Sequence, residues 1–204
     1  MESTTNYLIT GGSGRLGKEL KKHLWGQYPT HREFDIELIY GKLPKADVVV
    51  HLAAYTNVDK AQDEKFDCFY TNIFGTYNML RRYEDKPFVY LSTEHVNGKG
   101  IYFQSKLIGE MMVENLAHSY LIIRTLFKPN PYPYDSAWTN QMTQGDYVDV
   151  IAELIAKEIK EWDRKSKTVY VGTGRKSMYE LAKRTNPNVM PSLLVSDIRP
   201  TDYL

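Results

Sequence analysis

A single cysteine, Cys68, among 204 residues leaves no internal disulfide framework, which excludes the small secreted folds held together by such bridges. Long hydrophobic runs are missing too, so no segment reads as a membrane span. The chain enters the apolar run Tyr7-Leu8-Ile9 almost at once, without a basic region and long apolar core ahead of it, so no secretion signal is expected and the cytoplasm is the expected location. Charge of one sign is not in excess: 26 Lys and Arg oppose 25 Asp and Glu, a net charge of +1. That balance gives no reason to expect nucleic acid or a membrane surface as partner. No His, Cys and acidic residues fall at metal-ligand spacing, and no serine sits in a nucleophile-elbow context. No internal repeat or low-complexity tract interrupts the chain. What remains is an ordinary globular composition, 42% hydrophobic and 25% charged, long enough for one well-buried core and short for two.

Short apolar runs alternate with longer helical patterns. Strands are expected at Tyr7 to Thr10, Asp47 to Ala53, Phe88 to Ser92, Tyr120 to Arg124 and Val169 to Val171. Helices are expected at Leu16 to Trp25, Asp59 to Arg82 (either continuous or broken near Gly75), Tyr102 to His118, Tyr147 to Trp162 and Ser177 to Arg184. Between His31 and Leu43 there is room for a weak second strand near His31–Phe34 and little else. Strands alternating with helices imply parallel pairing with helices on both faces, an α/β doubly wound sheet of Rossmann type. The stretch from Lys128 to Gln144, rich in proline and aromatics, reads as an irregular packed loop.

The run Thr10-Gly11-Gly12-Ser13-Gly14-Arg15-Leu16-Gly17 directly follows the first strand and opens the first helix. Gly11 permits a tight turn, Gly14 lets backbone approach a pyrophosphate, and Gly17 lets the helix lie close to the strand. Free N–H groups at the helix start favour an anionic phosphate. In that context the turn points to a dinucleotide. Arg15 and Arg32 are suited to neutralise a 2′-phosphate, which favours NADPH with NADH as the alternative; both are equally readable as solvated arginines. Asp35 is either a partner for the adenine amino group or a turn aspartate.

Tyr102 and Lys106 stand four apart on an expected helix, so they share a face. A tyrosine can protonate a carbonyl oxygen as hydride reaches the carbon. A phenol with an ordinary pKa near ~10 is a poor shuttle at neutral pH, and a neighbouring ammonium lowers that pKa. Thr93, at the carboxyl end of a strand, can offer its hydroxyl to the same oxygen. With 16 tyrosines in the chain the pair alone is weak; its place after Ser92-Thr93 and downstream of the glycine turn gives it weight. Elsewhere, His51 reads better as a satisfied core histidine than as a catalyst. Arg124 is either a brace or a phosphate contact. Arg199 is either a diphosphate grip or a tail residue. Trp138, Tyr132 and Tyr134 read as packing before base stacking.

These residues resemble the extended short-chain dehydrogenase/reductase family along nearly the whole chain. Leu8-Ile9-Thr10-Gly11-Gly12 is similar to its opening, and Asp47 to Ala54 (DVVVHLAA) to the strand that walls its cofactor. Asn72 to Leu80 is similar to its N-x-x-G-T-x-N-L-L helix, and Gly145-Asp146-Tyr147-Val148-Asp149-Val150 resembles its late D-Y-V-x-D-V element. Within it, the likeness is to the dTDP-4-dehydrorhamnose reductases. Ala53 to Ala61 resembles their A-A-x-T-x-V-D-x-A segment, Ser92 to Val96 their S-T-D-Y-V, Tyr102 to Glu110 their Y-G-x-S-K-L-x-G-E, and Arg199 to Leu204 their closing R-P-x-x-x-x-L.

The resemblance implies Thr93, Tyr102 and Lys106 as the catalytic set. The cofactor is expected on Gly11, Gly14, Arg15, Leu16, Gly17, Arg32, Asp35, Ala53, Ala54, Tyr102 and Lys106. Glu94, His95 and Arg199 are expected on the side of a nucleotide-sugar substrate carrying a 4-keto-6-deoxy sugar. The departures are Glu94-His95 in place of Asp-Tyr, a short link from Val96 to Tyr102, and condensed substrate-side elements around 128–146 and 173–204 within one domain of 1–204. These leave open a non-catalytic NADP-binding regulatory subunit, or an epimerase or dehydratase using Glu94 beside Thr93. A homodimer, with the Asp59–Arg82 and Tyr102–His118 helices at its face, is compatible with the pattern.

Overall fold

The computed structural model describes residues 5–38 and 44–203. Its centre is a five-stranded sheet, all parallel. The strands are β1 (Tyr7–Thr10), β2 (Val48–His51), β3 (Pro87–Thr93), β4 (Ser119–Thr125) and β9 (Lys167–Tyr170), in that order across the sheet. Both faces of β1 to β4 are covered, which is why they read as apolar runs and not as alternation; the edge strand β9 alternates between half-buried and exposed residues. Successive residues still divide between the faces. Ile9, Val50, Val89 and Ile123 pack with Leu16 and Leu20 of α1 (Arg15–Leu20) and with Ile151, Ile155 and Ile159 of α5 (Val148–Glu161). Leu8, Val49, Phe88, Tyr90 and Ile122 pack on the other side against Met79 and Leu80 of α3 (Gly75–Arg82) and Val113 of α4 (Ile101–Leu116). This is the expected α/β architecture of Rossmann type.

Two local expectations are corrected. Residues His31–Phe34 form a turn, not a strand. Thr30 closes that turn on itself: its N–H and hydroxyl both donate to the Glu33 carboxylate, at 2.8 and 2.9 Å. The free edge of β1 is instead met by Gln27, which accepts from the Ile9 N–H and donates to the Tyr7 carbonyl, both at 2.8 Å. Residues 39–43 of the compressed region lie outside the described residues. The helix after β2 is not broken at Gly75. It runs through α2 (Lys65–Phe69), widens into a π turn at Tyr70–Phe74 and resumes as α3 at Gly75 itself. Gly75 serves packing, because a Cβ there would lie 2.6 Å from the Ile36 side chain.

The stretch from Lys128 to Gln144 is less irregular than expected. β5 (Phe127–Lys128) pairs with β8 (Asp146–Tyr147), β6 (Ser136–Trp138) with β11 (Met190–Ser192), and β7 (Met142–Thr143) with β10 (Lys176–Ser177). Two of these ribbons tie 136–143 to 176–192, and the third closes 127–147 on itself. Between them lies a small core of Tyr132, Ala137, Tyr147, Met178, Leu181, Ala182 and Val189. Asp146, 1% exposed, accepts two bonds from Arg184, one from Thr173 and one from its neighbour's N–H. It fixes β8 against α6 (Met178–Lys183), whose first turn is closed by the reciprocal Ser177–Glu180 cap.

Candidate active site

The strands all run the same way, so their carboxyl ends share one edge, and the loops leaving that edge enclose a cleft of 1010 Å³. An open parallel sheet places its ligands at this edge. Gly11, Gly14, Arg15, Leu16 and Gly17 line the cleft from the first turn, Ala53 and Ala54 from the loop after β2, and Thr93 and His95 from the end of β3. Tyr102 and Lys106 line it from α4, and Arg199 from the carboxyl-terminal segment. The structure therefore brings ten of the twelve positions assigned to cofactor or catalysis to one cleft; Arg32 and Asp35 are the exceptions.

The glycine turn is built as its spacing implies. Gly11 has φ +70, and a Cβ there would lie 2.7 Å from the Ala53 nitrogen. A Cβ on Gly17 would lie 2.5 Å from the Gly11 carbonyl oxygen. Those two glycines are required by the chain itself. Gly14 is different: it has φ −69, and the nearest protein atom to an added Cβ is 3.1 Å away. The space in front of it is the cleft. Gly14→Ala is expected to keep the fold, with a melting temperature within a few degrees of the parent. It should weaken binding of NADPH about tenfold or more, as read by cofactor fluorescence, because an added methyl in a close-packed contact costs about 1–3 kcal/mol.

Arg32 is exposed and lies outside the cleft lining. Asp35 also lies outside it: its carboxylate accepts the Glu37 N–H at 2.9 Å and lies 3.6 Å from His31, the behaviour of a turn aspartate. His31, Ile36 and Glu37 line that end instead. Glu94 is likewise turned away. It is fully buried, accepts from the Thr143 hydroxyl and, at 3.2 Å, from the Gln144 N–H, and lines no part of the cleft. Burial raises its pKa, against the lowering effect of those donors. His95 does face the cleft; its ring Nε2–H donates to the Met142 carbonyl at 3.2 Å, and burial lowers its pKa to about 4, so it is neutral. Arg199 donates to Asp59 at 2.7 Å and lies over the Trp138 ring, 5.5 Å from its centroid.

Burial dominates the Tyr–Lys pair. It pushes the Tyr102 phenol up to about 12, with Cys68 adding in the same sense, and the Lys106 ammonium down to about 7 against the pull of Glu110 and Cys68. The expected lowering of the phenol by the ammonium is not found; desolvation raises it instead. Arg124 is a brace: it grips Glu110 through two bonds, at 3.0 and 2.6 Å. His51 is a core histidine, held by Thr10 at 2.8 Å and Thr76 at 3.2 Å. Lys128 was missed by the sequence reading. It lines the cleft three residues past the end of β4, and burial, then the positive charges of Arg199 and Arg15, hold its pKa down to about 8. The available signal was its position: a cation just beyond the carboxyl end of a central strand.

The residues present fit a dinucleotide. The Gly14 surface is open toward the cleft, the buried Ser92 hydroxyl beside it has no protein partner, and Lys106, 3% exposed, spends none of its N–H donors on a described protein acceptor. The fold and this cleft define a Rossmann-type α/β protein whose ligand surface is the carboxyl edge of the sheet. The chain belongs to the RmlD substrate binding domain family, whose model matches residues 5–153. It is 30% identical over 115 residues to a dTDP-D-glucose 4,6-dehydratase of Dictyostelium discoideum, covering 55% of this chain and 25% of that one. It is 27% identical over 176 residues to a dTDP-4-dehydrorhamnose reductase of Mycolicibacterium smegmatis, covering 73% and 50%. The chain thus spans a quarter to a half of the length of these curated relatives. Among solved structures, the dTDP-4-dehydrorhamnose reductase of Bacillus anthracis in complex with NADP superposes with a TM-score of 0.81 at 24% identity, covering 100% of this chain and 90% of that one. At that identity the superposition establishes the fold.

Proposed function

We propose that this chain is an NAD(P)H-dependent reductase of a nucleotide-linked 4-keto-6-deoxy sugar, with NADPH or NADH as its reductant. The observation that carries the reading is that Thr93, Tyr102 and Lys106 line the same cleft as the glycine turn. A bound nicotinamide supplies hydride to the carbonyl carbon. The chain's own groups do the rest. Tyr102 donates its proton to the carbonyl oxygen, and burial keeps that phenol protonated until it is needed. Lys106 stabilises the phenolate left behind and offers its remaining N–H donors to the cofactor ribose. Thr93 orients the carbonyl from the end of β3. Arg15 and the first turn take the cofactor diphosphate, and Lys128 and Arg199 offer positive charge to the diphosphate of the substrate.

A small anionic substrate suits a chain with balanced charge. Among the described residues no helix is long and apolar enough to cross a membrane. The dehydratase reading needs a carboxyl group at the sugar, and the full burial of Glu94 away from the cleft weighs against it. The test is NADPH and NADH oxidation by the purified chain against a panel of nucleotide-linked 4-keto sugars. Turnover of a 4-keto-6-deoxy member is expected. Saturable cofactor binding with no turnover of any member would reject reduction and leave a regulatory subunit.

A further inference from the structure

Lys106 is deep in the protein, 3% exposed, yet no described carboxylate is free to hold its charge. Glu110, one helical turn on, is committed to Arg124 through both oxygens. Cys68 of α2 touches the Ser105 hydroxyl at 3.5 Å, and burial raises its pKa, so it remains a neutral thiol. His51 of β2 cannot help. The Thr76 hydroxyl donates to the Asn72 carbonyl at 2.7 Å, so its oxygen accepts from His51 Nε2–H; Nδ1 then accepts from Thr10. That imidazole is neutral, its pKa lowered to about 3 by burial and by Lys106 itself. Tyr102, on the same helix as Lys106, is a protonated phenol. The remaining neighbour is Tyr90 of β3, whose ring centroid lies 4.1 Å from the Lys106 ammonium.

From this geometry we infer that Tyr90 is the positioning residue of the site: the face of its ring holds the Lys106 ammonium in place and charged. An aromatic face attracts a cation through its quadrupole and takes no N–H donor from it. A carboxylate in that position would hold the charge more strongly but would occupy the donors that Lys106 needs for the phenolate and the cofactor. The arrangement has a second fixed point. The Tyr90 hydroxyl is fully buried beside Thr76 without a hydrogen bond of good geometry. It abuts α4 where a Cβ on Gly109 would lie 2.0 Å from its oxygen. The glycine one turn beyond Lys106 is thus the opening that admits the phenol and seats the ring under the ammonium.

The catalytic meaning of this contact rests on the reductase reading, but its test does not. The ε-carbon NMR shift of Lys106 in 13C-labelled protein, titrated with pH, reports the lysine pKa without cofactor or turnover. Tyr90→Phe keeps the ring and should leave the midpoint within a few tenths of a pH unit. Tyr90→Leu should lower it by about half to one and a half pH units. In turnover, its alkaline limb should move down by the same amount while KM for the sugar nucleotide stays unchanged. Should the leucine variant fail to fold, 3,4,5-trifluorophenylalanine at position 90 keeps the shape and removes the negative face, and the same fall is expected against phenylalanine. A midpoint that is the same for phenylalanine and its trifluoro analogue overturns the inference. A wild-type chain that turns over nothing overturns the reductase reading and leaves the lysine result standing.

Discussion

Replacing Tyr102 by phenylalanine is expected to lower kcat for carbonyl reduction about 10²- to 10⁴-fold, the usual worth of a general acid, while NADPH binds within a few-fold of the parent. The expectation follows from the absence of a substitute among the described groups at the cleft. His95 is neutral, and its Nε2–H is already given to the Met142 carbonyl. Glu94 lies behind the wall. The Thr93 hydroxyl has an ordinary alcohol's acidity and is tied weakly to the His95 N–H, at 3.3 Å. Lys128, brought down to about 8, is given to the substrate diphosphate, and Lys106 can also give up a proton near neutrality, since burial brings its pKa to about 7. Its role is to carry positive charge beside the phenolate, so a proton lost from it removes the stabilisation that makes the step favourable. Lys106→Met should therefore reduce turnover comparably and also weaken cofactor binding, which Tyr102→Phe should not. The pair of variants, compared by single-turnover rates and cofactor titration, separates proton donation from charge stabilisation. Turnover by Tyr102→Phe within tenfold of the parent would remove the phenol from the mechanism.

What could be read from the sequence was local. The glycine turn joins a strand to a helix within eight residues, and the Tyr102–Lys106 spacing is one helical turn, so neither needed knowledge of distant contacts. The buried strands announced themselves as apolar runs for the same reason. The failures came where a residue's direction is set by something far along the chain. Arg32 and Asp35 were assigned by nearness to an expected second strand; Thr30 and Glu33 close that segment into a turn, and Gln27 takes the edge of β1. Lys128 acquires its setting from Arg199 and Arg15, residues 71 and 113 positions away by their numbers, and no short pattern marks it. Glu94 is the instructive case. It follows Thr93 in the turn that leaves β3, where no strand alternation fixes its direction. Its carboxyl is drawn away from the cleft by the Thr143 hydroxyl and the Gln144 N–H, 49 and 50 residues further along the chain, while His95 faces the cleft. Nothing in the local sequence announces those partners.

That orientation makes Glu94 a test of both stability and chemistry. Glu94→Ala is expected to cost about 3 kcal/mol, since it opens a cavity and leaves buried donors without an acceptor. Those donors are the Thr143 hydroxyl and the Gln144 N–H, which tie β7 and the loop after it to the end of β3. The pH dependence carries the sign. Burial raises the Glu94 pKa above the ordinary 4.5, so the folded protein holds this proton to higher pH than the unfolded chain does. The carboxyl's contribution to stability is then fully present below about pH 4.5 and declines as pH rises through the folded-state titration. The deficit of Glu94→Ala, measured by urea unfolding from pH 4.5 to 8, should accordingly be largest in acid and narrow toward neutrality. A carboxylate held by an ion pair would show the reverse. Glu94→Gln keeps the shape and one acceptor, and its kcat should remain within about threefold of the parent, because the group touches neither substrate nor cofactor. A loss of the 10²-fold or more that general acid–base catalysis commands would put this carboxyl at the sugar after all and revive the dehydratase reading. A deficit that widened with pH would mean that the side chain is ionised and paired in the folded state, and that its burial against Thr143 is not what fixes the loop.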